Sequence, residues 1–134
     1  MIVCLDANCV IYLVERNPRW GPRLAARLAT LRSAGHSLAI TDLARTECLA
    51  GPLFKGDASS IADFQAFFND PDIRILPLTA AVCERAAHLR AVSNFRFAVP
   101  DCLHLAAAIV QGCGLFLTND AQLRHCIDIA VEIL

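Results

Sequence analysis

Short apolar runs alternate with helix-like stretches along the whole chain, and this alternation constrains the fold more than any other feature. Runs such as Ile2–Leu5 and Leu115–Thr118 have the length of buried strands, and the segments between them carry apolar residues three or four positions apart. Strands that alternate with helices are typical of parallel sheets, because a parallel connection must cross from one end of the sheet to the other. The sequence therefore predicts an α/β domain.

Glycine and proline mark where the elements end. Gly35 stands where a helix-ending glycine belongs, and Gly51, Pro52 and Gly56 predict a loop after the helix that Asp42 would cap. The predicted strands are 2–5, 37–41, 73–76, 115–118 and a short 129–133. The predicted helices are 8–15, 23–34, 42–50, 58–68, 79–92 with Thr79 as the cap, and 102–111. No linker or repeat interrupts them, so we expect one domain spanning 1–134.

Bulk composition excludes several classes of protein. Apolar residues make up 56% of the 134 residues and charged residues 19%, which favours a folded core over disorder. No apolar run approaches the roughly 18 residues of a membrane helix, and the first residues do not resemble a signal peptide. The seven cysteines include no C-x-x-C pair and are expected to pack as small apolar side chains. We expect a cytoplasmic protein that does not contact a membrane.

The net charge of −1 permits binding to nucleic acid without demonstrating it. If four of the 13 acidic residues bind a metal ion, the 12 basic residues are in excess of the remaining acids. Eleven of the basic residues are arginine. Arginine presents a planar fork that matches phosphate, but a GC-rich genome would also enrich it. Four arginines recur around the single tryptophan, Trp20, and either a basic edge or a solvated helix face explains them: Arg16, Arg19, Arg23 and Arg27.

Acidic residues fall where the predicted strands end. Asp6 directly follows the first strand, and Asp120 lies two residues beyond the fourth. Glu47 lies early in the helix after the second strand, and Asp101 opens the buried helix that leads into the fourth. Ligands of open parallel sheets bind at the carboxyl ends of the strands, so these four acids are expected to reach one edge. By periodicity alone Asp101 is equally well explained as a helix cap, whereas Asp6, a charge directly after a buried strand, needs a partner.

Four carboxylates at one edge require a bound metal ion or shared protons, because like charges a few Å apart raise each other's pKa. Oxygen ligands without histidine or cysteine favour Mg²⁺ or Mn²⁺ over zinc. Such ions take oxygens from phosphate substrates, activate a water and neutralise charge at phosphorus. The pattern therefore favours phosphodiester hydrolysis.

At these same positions the chain resembles the PIN-domain family, and more narrowly the toxin of a VapBC-type toxin–antitoxin pair. Four segments carry the resemblance in the order of the family's motifs: Ile2–Asn8, Thr41–Glu47, Pro100–Ala108 and Leu117–Asp120. It implies a three-layer fold whose mostly parallel central sheet has four to five strands flanked by helices. It also implies a catalytic metal site formed by Asp6, Glu47, Asp101 and Asp120, with supporting polar roles for Asn8 and Thr118.

The resemblance further implies a Mg²⁺- or Mn²⁺-dependent endoribonuclease that forms a homodimer and is silenced by a small antitoxin. Two departures stand out: position 7 is alanine where a hydroxyl residue is common, and Ala121–Leu123 lacks a second acid that many relatives carry. Neither departure removes one of the four acids, so activity is expected to survive.

Three further residues are weaker candidates. Arg45 and Arg124 lie near Glu47 and Asp120 in sequence and would either contact phosphate or compensate the acids. His104 lies three residues after Asp101 on one helix face, where a polar residue satisfied near the rim is the simpler interpretation.

Alternative functions remain open. A PIN-fold nuclease that acts on DNA or in RNA processing outside a toxin–antitoxin pair would have the same metal site, and a catalytically silent interaction module would have the same fold. A phosphotransfer receiver is disfavoured, because the only lysine, Lys55, lies in a predicted loop.

Overall fold

Five strands form one fully parallel sheet in a computed structural model that describes all 134 residues. The strands are β1 (Ile2–Leu5), β2 (Ser37–Thr41), β3 (Ile73–Leu76), β4 (Leu115–Thr118) and β5 (Ala130–Ile133), in the spatial order β3-β2-β1-β4-β5. Every neighbouring pair is parallel. The predicted α/β fold with its parallel sheet of four to five strands is confirmed.

Six α-helices supply the connections between the strands. They are α1 (Ala7–Val14), α2 (Gly21–Ser33), α3 (Leu43–Lys55), α4 (Ala58–Phe68), α5 (Ala80–Val92) and α6 (Val99–Val110), and a 3₁₀ helix, Ala121–His125, joins β4 to β5. None of these helices has both the length and the hydrophobicity that crossing a lipid bilayer requires.

Side chains of the central strand alternate between two cores. Val3 and Leu5 point to the face covered by α1 to α4, whereas Cys4 points to the face covered by α5 and α6. Both faces of each central strand are therefore buried, which explains why the strands read as continuous apolar runs. The three layers follow directly from this alternation.

Helix α6 is the most deeply buried helix. Leu105, Ala106, Ala107 and Ala108 are fully buried, and the small alanine side chains let its backbone approach the sheet and α5 closely. This packing fixes the start of α6, and with it Asp101, at the carboxyl edge of the sheet. The cysteines are all unpaired, and all except Cys83 are buried.

Two local predictions are wrong. Helix α3 does not end at residue 50; it continues through Gly51 and Pro52 to Lys55, and Gly56 ends it in the left-handed conformation at φ 64°. Pro52 is buried, so its packing offsets the hydrogen bond that proline cannot donate. Asp42 precedes α3 but does not cap it, because its carboxylate accepts from the Arg45 side chain at 3.0 Å and from no backbone N–H of the helix.

Candidate active site at the carboxyl edge of the sheet

The strand order reverses between β1 and β4, and the crevice outside their carboxyl ends is where open parallel sheets bind ligands. β1 ends at Leu5, so Asp6 lies at one side of this crevice, and β4 ends at Thr118, which brings Asp120 to the other side. The topology thus places the first and last of the predicted acids across the switch point.

Asp6 is held rigidly. It is 5% exposed and begins α1, with its Oδ1 accepting from the Ala7 N–H at 2.8 Å. Its Oδ2 accepts from the buried Thr118 hydroxyl at 2.6 Å, and that hydroxyl oxygen accepts from the Asp120 N–H at 3.0 Å. Thr118 therefore links the two acids on either side of the switch point.

Glu47 is held by a buried histidine. Its Oε1 lies 2.7 Å from Nε2 of His104, and Nδ1 of His104 lies 2.7 Å from the Thr41 hydroxyl. A carboxylate only accepts, so the Nε2–H donates to Glu47, and in the neutral ring Nδ1 accepts the proton of Thr41. His104 and Thr41 are completely buried, whereas the Glu47 side chain is 36% exposed. The buried pair thus aims a carboxylate that would otherwise be free to move.

The pKa values show that the charges of the acids act on one another. Partial burial raises the pKa of Asp101 to about 6, and the charges of Asp6, Asp120 and Glu47 act in the same direction. Burial also raises the pKa of Asp6; Glu47 adds to this, while His104, the Thr118 hydroxyl and the Ala7 N–H oppose it. The four acids therefore interact electrostatically, although they come from four separate elements.

The side chains do not close around one point. No three Asp, Glu, His or Cys side chains converge closely enough to enclose a metal ion. The donor set nevertheless fits a hard divalent cation, because it consists of carboxylate oxygens whose mutual repulsion a cation would relieve. Oδ1 of Asn8, on the first turn of α1, is buried without any hydrogen-bond partner, which leaves a further oxygen available beside Asp6.

The two predicted arginines lie apart from this arrangement. Arg45 donates to Asp42 and lies 5.2 Å from the Phe68 ring centroid. Arg124 is exposed on the 3₁₀ helix and makes no ion pair.

Thr41, by contrast, was missed from the sequence. Thr41 could have been found by its place in the sequence, because, like Thr118, it is a hydroxyl residue at the end of an otherwise apolar strand.

The family model of the PIN domain matches residues 3–126. The chain belongs to the PIN domain family. The family predicted from the four motifs is thereby confirmed, and the matched range includes all four acids of this PIN domain.

Solved structures share the fold over almost the full chain at low identity. VapBC2 from Rickettsia felis, solved bound to a DNA fragment from its promoter, is 18% identical with a TM-score of 0.81, covering 99% of this chain and 98% of that chain. FitAcB from Neisseria gonorrhoeae is 20% identical with a TM-score of 0.74, covering 98% and 96%. DNA-bound VapBC from Salmonella typhimurium is 15% identical with a TM-score of 0.73, covering 99% and 98%.

A search of curated protein sequences found no match. At 15–20% identity, the likeness to these solved structures shows the fold alone.

Proposed function

We propose that this PIN domain is a Mg²⁺- or Mn²⁺-dependent endoribonuclease that hydrolyses RNA phosphodiester bonds. The observation that carries the proposal is the shared electrostatic field of Asp6, Glu47, Asp101 and Asp120 at the switch point of the sheet. Carboxylates that raise each other's pKa in this way are typical of sites that hold a cation against a phosphate.

Each acid has a distinct part in the proposed site. Asp6 is fixed from two sides and would serve as the rigid ligand, and Glu47 is positioned through His104. Asp101 and Asp120 would complete the oxygen set, with Asn8 nearby. When bound, the metal would supply Lewis acidity for activating water and neutralising phosphate charge. No histidine base is then required, and His104, committed to Thr41 and Glu47, acts as a positioning residue.

Nuclease assays on RNA and single-stranded DNA test this proposal directly. The purified protein would be incubated with each substrate in Mg²⁺, in Mn²⁺ and in EDTA, beside Asp6→Asn and Asp101→Asn. Asp72→Asn is the matched control, because Asp72 is an exposed acid before β3, at the opposite edge of the sheet. We expect metal-dependent cleavage of RNA by the wild type and the control, and loss of cleavage in both site variants.

The other outcomes identify the alternatives. Cleavage of DNA with RNA left intact would replace the substrate class while keeping the site. Failure to cleave either substrate, together with no Mg²⁺ or Mn²⁺ binding by calorimetry, would contradict the catalytic proposal and favour an interaction module.

We also propose that the chain is the toxin of a toxin–antitoxin pair, acting as a homodimer in the cytoplasm. Its fold is similar to chains of the VapBC complexes, one of which, VapBC-5 from Mycobacterium tuberculosis, is described as a member of a family of toxin–antitoxin systems. Sedimentation of the purified chain tests the dimer. Co-expression with the product of the adjacent gene tests the antitoxin, which should co-purify and suppress cleavage.

A further inference from the structure

The only tryptophan of the chain lies at the start of α2, packed on a tyrosine from α1. The ring centroids of Trp20 and Tyr12 are 6.2 Å apart and their planes differ by 25°. Both rings are partly exposed. Trp20 therefore packs the α1–α2 turn against α1 while still presenting surface to solvent.

Two arginine side chains lie against the same ring. The guanidinium carbons of Arg19 and Arg23 are 4.7 Å and 5.3 Å from the Trp20 ring centroid. Both residues are exposed and neither makes an ion pair, whereas Arg27 is committed to Glu132 at 2.6 Å. We call Tyr12, Trp20, Arg19 and Arg23 the aromatic–arginine strip. It combines two π surfaces with two uncompensated positive charges.

The strip is continuous with the candidate active site. Asn119 donates from Nδ2 to the Tyr12 hydroxyl at 3.1 Å, and Asn119 immediately precedes Asp120. Tyr12 also lies four residues after Asn8, on the same face of α1. Its position is six residues beyond Asp6, about 9 Å along the helix axis. A polymer that enters the acidic edge along α1 would therefore meet the strip next.

We infer that the aromatic–arginine strip binds the single-stranded RNA adjacent to the cleaved bond: phosphates draw the exposed Arg19 and Arg23 side chains off the Trp20 ring, and an unpaired base takes the ring face that they cover in the free protein. The inference rests on the proposed function and names the part of the substrate that the acids themselves do not contact. Stacking platforms beside positive charge are the usual means of holding single-stranded nucleic acid. An acidic peptide would use the guanidinium groups but has no base to stack on the ring.

The single tryptophan makes the strip its own fluorescent probe. An unstructured oligouridylate would be titrated into the protein in EDTA, which prevents metal-dependent cleavage, at several salt concentrations. We expect saturable quenching of Trp20 and an affinity that falls with salt. Arg19→Ala and Arg23→Ala should each weaken binding and reduce the slope of log K against log salt by about 0.7, the value for one lost contact to a single strand.

Variants of the ring separate stacking from charge. Trp20→Leu should weaken binding of a labelled oligouridylate about 5- to 150-fold by anisotropy, whereas Trp20→Phe should retain most of it. Arg96→Ala is the matched control, because Arg96 is exposed, unpaired and located between α5 and α6 on the other face of the sheet; it should bind like the wild type. Should Trp20→Leu fail to fold, the exposed Arg19 and Arg23 variants still decide the question.

Three outcomes would overturn or separate the claims. Oligouridylate binding that leaves Trp20 fluorescence and all strip variants unchanged would overturn the inference, while metal-dependent cleavage by the wild type would keep the nuclease proposal intact. Quenching by oligoglutamate but not by oligouridylate would also overturn it, in favour of an acidic protein partner. Quenching by oligouridylate without any cleavage in Mg²⁺ or Mn²⁺ would support the strip and contradict the nuclease proposal.

Discussion

His104 connects the buried core to the partly exposed carboxylate of Glu47 and so determines where that carboxylate lies. Its two ring nitrogens join Thr41, at the end of β2, to Glu47 on α3, each at 2.7 Å. Because the Glu47 carboxylate only accepts, Nε2 carries the proton, and in the neutral ring Nδ1 accepts from the Thr41 hydroxyl. Groups behind a ligand that orient it in this way commonly change metal affinity when they are removed.

Replacing Thr41 by valine should therefore weaken the proposed metal site without changing any of its proposed ligands. Valine has nearly the same shape but leaves Nδ1 without a partner, so Glu47 loses its fixed direction. We expect the Mg²⁺ concentration for half-maximal cleavage to rise about 10- to 100-fold. Thr41→Ser, which keeps the hydroxyl, should remain close to wild type. The ¹⁵N shifts of the His104 ring should change in the valine variant alone, and equal metal dependence in both variants would contradict the orienting role.

Thr118 positions acidic residues in a similar way on the other side of the site. Its hydroxyl donates to Asp6 and accepts from the Asp120 N–H. In Thr118→Val both groups lose a partner, and the domain should lose about 1–3 kcal/mol of unfolding free energy, measured by urea denaturation in EDTA. Thr118→Ser keeps both bonds and is the control. A valine variant as stable as the serine variant would mean that water replaces the hydroxyl.

Sequence reasoning singled out the four acids, Thr118 and His104, but not the hydrogen bonds that join them. Asp6, Glu47, Asp101 and Asp120 could be selected because strand ends and helix starts are visible as local patterns. The bond between His104 and Glu47 spans 57 positions, and no local pattern encodes which side chain meets which across that separation. The same holds for Tyr12 and Asn119, whose contact depends on how α1 packs beside β4.

At the scale of elements, helix and strand boundaries could be predicted wherever the turn residues and the periodicity of the apolar residues indicated the same position. β2, β3, β4 and α4 have the predicted bounds. Helix α3 departs from prediction, because Gly51 and Pro52 are breakers by local propensity while burial of Pro52 favours continuation. Tertiary packing overrides local helix propensity there, and a single sequence does not reveal which of these two effects is larger.

Two glycines at the end of α3 give unequal predictions that test this boundary. Gly51 lies within the helix in otherwise open space but directly before Pro52, whose ring crowds the Cβ of a preceding helical residue, so this crowding should offset the gain in helix propensity and Gly51→Ala should leave the stability within about 0.5 kcal/mol of the wild type. Gly56 ends the helix at φ 64°, where a side chain is strained, so Gly56→Ala should destabilise it by about 1–2 kcal/mol. Chemical denaturation of both variants measures the pair. A Gly56→Ala variant as stable as the wild type would indicate that the helix ends before Gly56 in solution.

At the scale of the whole molecule, the fold holds four repelling carboxylates at one edge of a sheet whose two faces are both packed. The cores on the two faces fix the starts of α1 and α6, so Asp6 and Asp101 cannot simply move apart. The domain therefore retains an electrostatic repulsion that lowers its stability and that a bound cation would relieve.

Removing one of these charges should stabilise the metal-free domain while abolishing its response to metal. Asp101→Asn removes a carboxylate that faces three others, so its melting temperature in EDTA should exceed that of the wild type. Each 1 kcal/mol of relief corresponds to about 2–8 °C in a domain of this size. Mg²⁺ should then raise the melting temperature of the wild type and of Asp72→Asn, but have little effect on Asp101→Asn. An Asp101→Asn variant less stable than the wild type in EDTA would show that the carboxylate makes a stabilising contact that outweighs the repulsion, and the four acids would then owe their placement to packing instead of metal binding.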